Sequence, residues 1–170
     1  VDDRMVDLIA EHIDVALRVA HLEDSTLVAR KLCDNPRVLV ASPAYLARRG
    51  APHVPTDLLG HDCLLFSSGA RVFDEWSFTK DGVHTPVRAP GKIHINDGMA
   101  LVAAAVAGGG AMVIDRLLVG HELADGSLVQ LLPDYQLRPG QPVYAVYPAR
   151  PWLAFKTATF VAFLQERLFA

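Results

Sequence analysis

Segments with the apolar period of a strand alternate with segments of helical period along the chain, and this alternation is what most limits its fold. Val15, Leu17 and Val19 recur at every second position, which fits a strand that is covered on both faces. The helix predicted to begin after Asn96-Asp97 instead carries its apolar residues at spacings of three and four. Strands that alternate with helices build α/β proteins. The sequence therefore predicts an α/β fold.

The alternation predicts a definite order of elements. Strands are predicted at residues 15–20, 27–32, 37–41, 63–66, 75–79, 84–89, 91–95, 111–114, 128–132 and 143–147. Helices are predicted at residues 3–12, 44–49, between Asp97 and Gly108, at 116–123 and after Pro151. The last helix is expected to bury one apolar face, made of Trp152, Phe155, Phe160, Phe163, Leu164 and Leu168.

Composition excludes several classes of protein. Hydrophobic residues make up 51% of the 170-residue chain, which excludes a disordered chain. The net charge of −3 argues against a nucleic-acid-binding surface, so any contact with DNA must come from another part of the protein. The longest uncharged apolar stretch, Gly98–Ile114, is shorter than the roughly 18 residues of a membrane span. Two cysteines, Cys33 and Cys63, are too few for a disulfide framework and fit a reducing cytoplasm, and no segment resembles an export signal.

Side chains that could carry catalysis or bind a metal do not form a recognisable set. His61 and Cys63 lie on the same side of a predicted strand, but no second Cys/His pair follows at metal-ligand spacing, so no metal is expected. Ser67 follows a buried strand as a nucleophile would, yet the pattern Gly-x-Ser-x-Gly is absent. Gly108–Gly110 ends a helix, whereas phosphate loops precede one. We therefore expect no catalytic residue and no cofactor, and the chain is not predicted to be an enzyme.

Polar residues at the ends of strands are better candidates for ligand binding. Ser42 and Asn96 each follow a predicted strand and begin a helix, where free backbone N–H groups favour small ligands. Capping alone would equally explain both residues. Ser67 and Ser68 follow another strand and either bind a ligand or form a turn. Arg18 lies within an apolar strand, where a charge needs a partner, so it either pairs with a nearby aspartate or meets an anion.

Seven short motifs resemble, in their order, those of the effector-binding domain of LysR-type transcriptional regulators. They are Val6–Arg18 (VDLIAEHIDVALR), Leu27–Leu32 (LVARKL), Val40–Leu46 (VASPAYL), Leu59–Cys63 (LGHDC), Trp76–Phe78 (WSF), Gly126–Val129 (GSLV) and Pro142–Pro148 (PVYAVYP). Each motif alone is weak, whereas seven in the same order are specific. The resemblance covers essentially the whole chain.

The resemblance implies a type 2 periplasmic-binding-protein-like fold. In that fold two α/β subdomains are joined by two crossover strands and hold a small-molecule effector between them. The first subdomain would comprise residues 1–41 and 146–170 and the second residues 42–145, with the crossover strands at Arg37–Ala41 and Val143–Tyr147. The residues expected near the effector are Arg18, Ser42, Ser67, Ser68 and Asn96.

The resemblance also implies a function. The domain would sense an effector without catalysis, cofactor or metal, and would modulate transcription in the bacterial cytoplasm as part of a homodimer or homotetramer. DNA would be bound only by a winged helix-turn-helix domain that this chain lacks. A first strand and helix, roughly 30 residues by the usual strand-helix-strand count, would also be missing. A solute-binding receptor or an enzyme on the same two-domain scaffold is the alternative function.

Overall fold

The computed structural model describes residues 8, 10–11, 13–19, 27–91, 93–148 and 155–167. The helix predicted at residues 3–12 falls outside this part of the chain except for Leu8, Ala10 and Glu11, which lie in turns. The chain divides into two compact units. Unit 1 comprises Val1–Asn35 and Gln141–Ala170, and unit 2 comprises Pro36–Gly140.

The described residues form strands and helices in nearly the predicted order. The strands are β1 (Ala16–Val19), β2 (Leu27–Cys33), β3 (Arg37–Ala41), β4 (Leu64–Ser68), β5 (Arg71–Val72), β6 (Glu75–Lys80), β7 (Val83–Arg88), β8 (Ile93–Ile95), β9 (Met112–Asp115), β10 (Val129–Leu131), β11 (Gln136–Leu137) and β12 (Val143–Pro148). The α-helices are α1 (Pro43–Arg49), α2 (Gly98–Val106), α3 (Gly120–Asp125) and α4 (Phe155–Arg167), and 3-10 helices lie at Pro55–Gly60 and Arg116–Leu118. The helix predicted at residues 116–123 is therefore two shorter pieces, separated by Val119 in a non-helical conformation.

Unit 1 is built on an antiparallel sheet with the strand order β1-β12-β2. Ala145 and Tyr147 of the central strand β12 are buried against α4. The edge strand β1 is less covered than its sequence predicts, because Leu17 and Val19 are 50% and 53% exposed. The expectation that β1 is covered on both faces is therefore wrong. The physical reason is that α4 packs with residues of β12 and β2, and neither Leu17 nor Val19 belongs to the apolar cluster that they form.

Helix α4 forms as predicted but buries a different face. Thr157, Val161 and Leu164 are buried, at helical spacings of four and three. Phe155, Phe160 and Phe163, which the sequence predicts on the buried face, are 85%, 47% and 53% exposed, and Trp152 and Leu168 lie outside the described residues. The prediction of the buried face is correct for Leu164 and wrong for these phenylalanines. The spacing of the apolar residues predicted one face, whereas the face with Val161 and Leu164 packs against the sheet.

Unit 2 contains a mixed sheet in which one strand runs against its neighbours. β8 pairs with β4 in parallel, and a parallel bridge between Cys63 and Ala111 joins β4 to β9. β3 is antiparallel to both β9 and β10. The resulting order is β8-β4-β9-β3-β10. The carboxyl end of β3 therefore lies at the edge of the sheet where β4, β8 and β9 begin.

Two apolar layers cover the faces of this mixed sheet. Leu101, Val102 and Ala105 of α2 pack on one face, against residues such as Leu64. The hairpin of β6 and β7 packs on the other face and buries its Trp76, Phe78 and Val87 with Leu65. The hairpin turns at Asp81-Gly82, whose φ angles of 51° and 78° are those of a two-residue hairpin turn. Among the described helices, none combines the length and the apolar character that a bilayer crossing demands.

Candidate functional site

Two of the sequence-predicted ligand positions lie side by side at the carboxyl ends of β4 and β8. These strands are parallel, and their last register pair is Phe66 with Ile95. Ser67 and Asn96 each follow that pair by one residue, on adjacent strands. The structure therefore brings Ser67, Ser68 and Asn96 to one edge of the mixed sheet.

The two serines project to different faces of the sheet because side chains alternate along a strand. Ser67 shares a face with Leu65, and Ser68 shares a face with Phe66, which packs with α2. Both serines belong to the tight hairpin of β4 and β5, in which Ser68 lies opposite Arg71. The guanidinium of Arg71 lies 4.7 Å from the centre of the Phe73 ring. The edge therefore carries the hydroxyl of Ser67 beside the position of Asn96, and the hydroxyl of Ser68 beside the cation of Arg71 on the opposite face.

Arg71 was not identified from the sequence as a candidate. The sequence feature that could have identified Arg71 is its position just after the Gly69-Ala70 turn. Such a two-residue turn folds the chain back beside Ser67 and Ser68. Periodicity alone does not detect strands as short as β5, which has only two residues.

The helix that follows Asn96 is capped by its neighbour. Asp97 is the N-cap of α2, and its carboxylate accepts the N–H of Ala100 at 2.7 Å. The side chain of Asn96 is exposed and makes no hydrogen bond with the described residues. Of the two explanations for Asn96, capping is therefore wrong. The amide remains available to a ligand.

Ser42 is not part of this edge. It follows β3, which runs antiparallel to β9 and hence opposite to β4 and β8, so Ser42 lies at the other end of the sheet. The side chain is buried, and its Oγ accepts the N–H of Tyr45 at 3.4 Å as the N-cap of α1. The expectation that Ser42 and Asn96 flank one site is therefore wrong, and the physical reason is the reversed direction of β3. Capping accounts for Ser42.

The surroundings of Ser42 are structural. Tyr45 packs against His61, and a guanidinium nitrogen of Arg48 donates to the carbonyl of Gly108 at 2.8 Å. Burial raises the pKa of the Tyr45 hydroxyl and raises that of the Cys63 thiol to about 12. Among the described residues, no group of three or more His, Cys, Asp or Glu side chains could hold a metal ion.

Arg18 lies on β1, in the other unit. It stands opposite Tyr144 of β12, and its side chain is half-buried. The structure of unit 1 therefore gives Arg18 a place in the sheet. Whether it contacts the same ligand as Ser67 and Asn96 stays a prediction.

Comparison with known proteins finds relatives along the whole chain. Residues 1–169 match the family described as the LysR substrate binding domain. The chain is 35% identical to the HTH-type transcriptional regulator PtxR of Pseudomonas aeruginosa, and the match covers 98% of the chain and 53% of that regulator. It is 36% identical to the HTH-type transcriptional activator AaeR of Escherichia coli, over 94% of the chain and 51% of the activator. The chain thus spans about half the length of the curated relatives that it matches.

A solved structure agrees with these relatives. The CrgA regulatory domain, from a LysR-type transcriptional regulator of Neisseria meningitidis, matches with a TM-score of 0.84 and 30% sequence identity. The match covers 98% of this chain and 81% of that chain. The predicted type 2 periplasmic-binding-protein-like α/β fold is confirmed.

Proposed function

Because the chain belongs to the family of substrate-binding domains of LysR-type transcriptional regulators, we propose that its effector binds at the sheet edge where β4 and β8 end. The chain is a ligand-sensing regulatory domain and not an enzyme, since the family and the relatives are transcriptional regulators. The predicted function is confirmed at this level. Which residues contact the effector is our proposal.

The adjacency of Ser67 and Asn96 is the observation that carries the proposal. They follow the last register pair of two parallel strands, and open α/β sheets bind ligands at the carboxyl ends of such strands. Asn96 has a donor and an acceptor that the capping of α2 does not use. Ser68 offers a second hydroxyl at the next position of β4, on the opposite face of the sheet. A ligand with hydroxyl or carboxylate oxygens would match these groups.

Arg18, on β1 of unit 1, is also proposed as an effector contact, as the resemblance to LysR-type effector-binding domains implies. The proposal assigns it an anionic group of the effector, such as a carboxylate, because a guanidinium binds planar oxyanions with two hydrogen bonds. Ser42 is left out of the proposed site because its Oγ is buried and engaged by α1. The effector would then be a small polar molecule whose acidic group meets Arg18.

We propose that the whole protein is a transcriptional regulator, as the names of its relatives state. Two of them are HTH-type transcriptional regulators that are about twice the length of this chain. We propose that a further N-terminal domain binds DNA, that the protein works in the cytoplasm, and that it assembles as a homodimer or homotetramer. In this scheme units 1 and 2 are the two subdomains that respond to the effector.

A ligand screen followed by matched variants tests the proposed site. Thermal-shift measurements on the purified protein with a panel of small carboxylates, aromatic acids and lactones would first identify a stabilising compound. Isothermal calorimetry would then compare Asn96→Ala and Ser67→Ala with the parent. Each variant is expected to weaken binding by about fivefold to tenfold, the loss of one hydrogen bond.

Two controls separate binding from folding. Ser42→Ala should lower the free energy of unfolding by about 1 kcal/mol through loss of the α1 cap, with affinity unchanged. Thr56→Ala should change neither quantity, because the side chain of Thr56 is exposed and makes no hydrogen bond with the described residues. Unchanged affinity in both Asn96→Ala and Ser67→Ala would reject the site. Weakened binding in Ser42→Ala would show that Ser42 and Asn96 belong to one site after all.

A further inference from the structure

Unit 2 contains a cavity of about 690 Å³ on the face of the mixed sheet that does not carry α2. Its size falls within the range of about 300–1,000 Å³ that is typical of small-molecule sites. The apolar part of its wall is formed by Leu65, Val72, Ala89 and Pro90. The described residues that line the cavity all belong to unit 2.

The cavity is set back from the proposed effector edge. Leu65 and His94 face each other in the register of β4 and β8, and both line the cavity. Ser67 and Asn96 lie two residues further along these strands, which is about 7 Å. The cavity adjoins the effector edge, because Val72 of its wall stands opposite Ser67, and it is distinguished from that edge by Arg88, Ala89 and His94.

The backbone around the cavity is tightly packed. A Cβ atom on Gly91 would lie 2.6 Å from the carbonyl oxygen of Cys63 and 2.6 Å from Cγ of Leu65. The loop before β8 is therefore pressed directly on β4, and only glycine fits there. This close approach fixes the wall that Pro90 and Gly91 contribute.

A positioned guanidinium stands at the rim of the cavity. The Nε–H of Arg88 donates to the carboxylate of Asp74 at 2.7 Å. The two terminal nitrogens of Arg88 make no hydrogen bond with the described residues, and the side chain is 80% exposed. The ion pair with Asp74 therefore fixes the position of the guanidinium. Its two terminal nitrogens remain available to donate two parallel hydrogen bonds to a ligand.

His94 adds a second polar group. Its Nε2 lies 3.2 Å from the carbonyl oxygen of Gly91, and because a carbonyl only accepts, Nε2 carries the proton in this contact. Nδ1 is left without a partner among the described residues. An apolar wall with a guanidinium and an imidazole at its rim suits a molecule that has an apolar body and an acidic end.

We infer that this cavity is a binding site for a small amphipathic carboxylate, held by Arg88 at its acidic end and by Leu65, Val72 and Ala89 along its apolar body. The site adjoins the effector edge at Val72, but the cavity and the position of Arg88, from which it is inferred, do not depend on that proposal. Asp74 positions Arg88. Benzoate has the required chemistry and serves as the probe.

The first test is an NMR titration of the 170-residue protein with benzoate. We expect saturable shifts of the backbone amide signals of Leu65, Val72, Ala89 and Gly91. Saturable shifts of Ser67, Ser68 and Asn96 without shifts of Ala89 and Gly91 would assign benzoate to the effector edge and overturn the cavity site. No saturable shift at the cavity residues at millimolar benzoate would also overturn it.

Variants test the part of each group. Arg88→Gln should weaken benzoate binding by about tenfold or more, since a charge-assisted pair of hydrogen bonds is lost. Lys80→Gln is the matched control. Lys80 also forms an exposed ion pair in unit 2, in which its Nζ lies 3.3 Å from a carboxylate oxygen of Asp134, and it is not among the residues that line the cavity. Its affinity should equal that of the parent. Equal affinities of Arg88→Gln and the parent would overturn the role of Arg88.

Two further measurements separate charge from shape. Benzamide, the neutral analogue, should bind about tenfold more weakly than benzoate, whereas benzylamine should not compete with it. Ala70→Phe, at an exposed turn that lines the cavity, should fill the space and abolish the benzoate shifts without lowering the melting temperature. Binding of benzylamine in place of benzoate, or full benzoate binding by Ala70→Phe, would overturn the proposal.

Discussion

Tyr45 and His61 are joined by a hydrogen bond of 3.0 Å between the tyrosine hydroxyl and Nδ1 of the imidazole. The same hydroxyl oxygen accepts the backbone N–H of Asp62 at 2.9 Å, so its proton is free to be donated to His61. Tyr45 lies on α1 and is 1% exposed, whereas His61 and Asp62 precede β4. One buried hydroxyl therefore joins α1 to the segment that leads into β4.

Tyr45→Phe should destabilise the protein without a change of packing. The ring stays in place, but the N–H of Asp62 and the imidazole of His61 lose their partner, which costs about 1–3 kcal/mol. Urea unfolding followed by circular dichroism measures the loss. Tyr135→Phe is the control, since the hydroxyl of Tyr135 makes no hydrogen bond with the described residues. Equal effects of the two variants would contradict the role of the Tyr45 hydroxyl.

Asp57 should make stability depend on pH in the acid range. Its carboxylate accepts the N–H of His53 at 2.8 Å and that of Val54 at 3.1 Å, and these backbone bonds lower its pKa below the ordinary value of 3.8. Because the folded pKa is the lower one, the stabilisation is complete above the unfolded pKa and is lost as the pH falls through the folded pKa. Asp57→Asn should therefore differ from the parent at pH 5 and approach it near pH 2.

Unfolding curves at a series of pH values measure this difference. Glu75→Gln provides the control, because the carboxylate of Glu75 makes no hydrogen bond with the described residues. A difference between Asp57→Asn and the parent that stays constant from pH 5 to pH 2 would contradict the prediction.

Cys63 should be unreactive in the folded protein. The thiol is 3% exposed, and burial raises its pKa to about 12, so the reactive thiolate is scarce at neutral pH. Cys33 is half-buried, and burial also raises its pKa, so it should react slowly but before Cys63. With a chromogenic disulfide reagent, Cys33→Ser should show no reaction when native and one thiol in denaturant. Rapid reaction of native Cys33→Ser would show that Cys63 is accessible.

Local sequence patterns predicted the elements because the information they need is local. The alternation in β1, the apolar run of β3 and the helical spacing in α2 each lie within a few consecutive residues. The cap at Ser42 and the turn at Asp81-Gly82 likewise depend on adjacent residues. These features were therefore predictable without the fold.

The grouping of the site depends on strand direction, which is not local. Ser42 and Asn96 have the same local pattern, a strand followed by a helix start, yet β3 runs opposite to β8. Only the pairing of β3 with β9 decides which edge each residue occupies. The same limit applies to α4, where the sheet decides that Val161 is buried and Phe160 is not.

Gly110 shows a close approach that a helix stop does not explain, and its substitution should be costly. A Cβ atom there would lie 2.4 Å from the carbonyl oxygen of Asp62, the acceptor of the N–H of Ala111 at 2.9 Å. The bridge that joins β4 to β9 therefore requires a residue without a side chain at position 110. Gly110→Ala should lower the free energy of unfolding by about 3 kcal/mol, because the backbone must move.

Gly126→Ala is the control for this prediction. Its φ of 80° strains alanine by about 1 kcal/mol, but no atom lies within 4 Å of the added Cβ. Denaturant unfolding of both variants decides the matter, and equal losses would show that the approach of Asp62 to Gly110 contributes nothing beyond backbone strain.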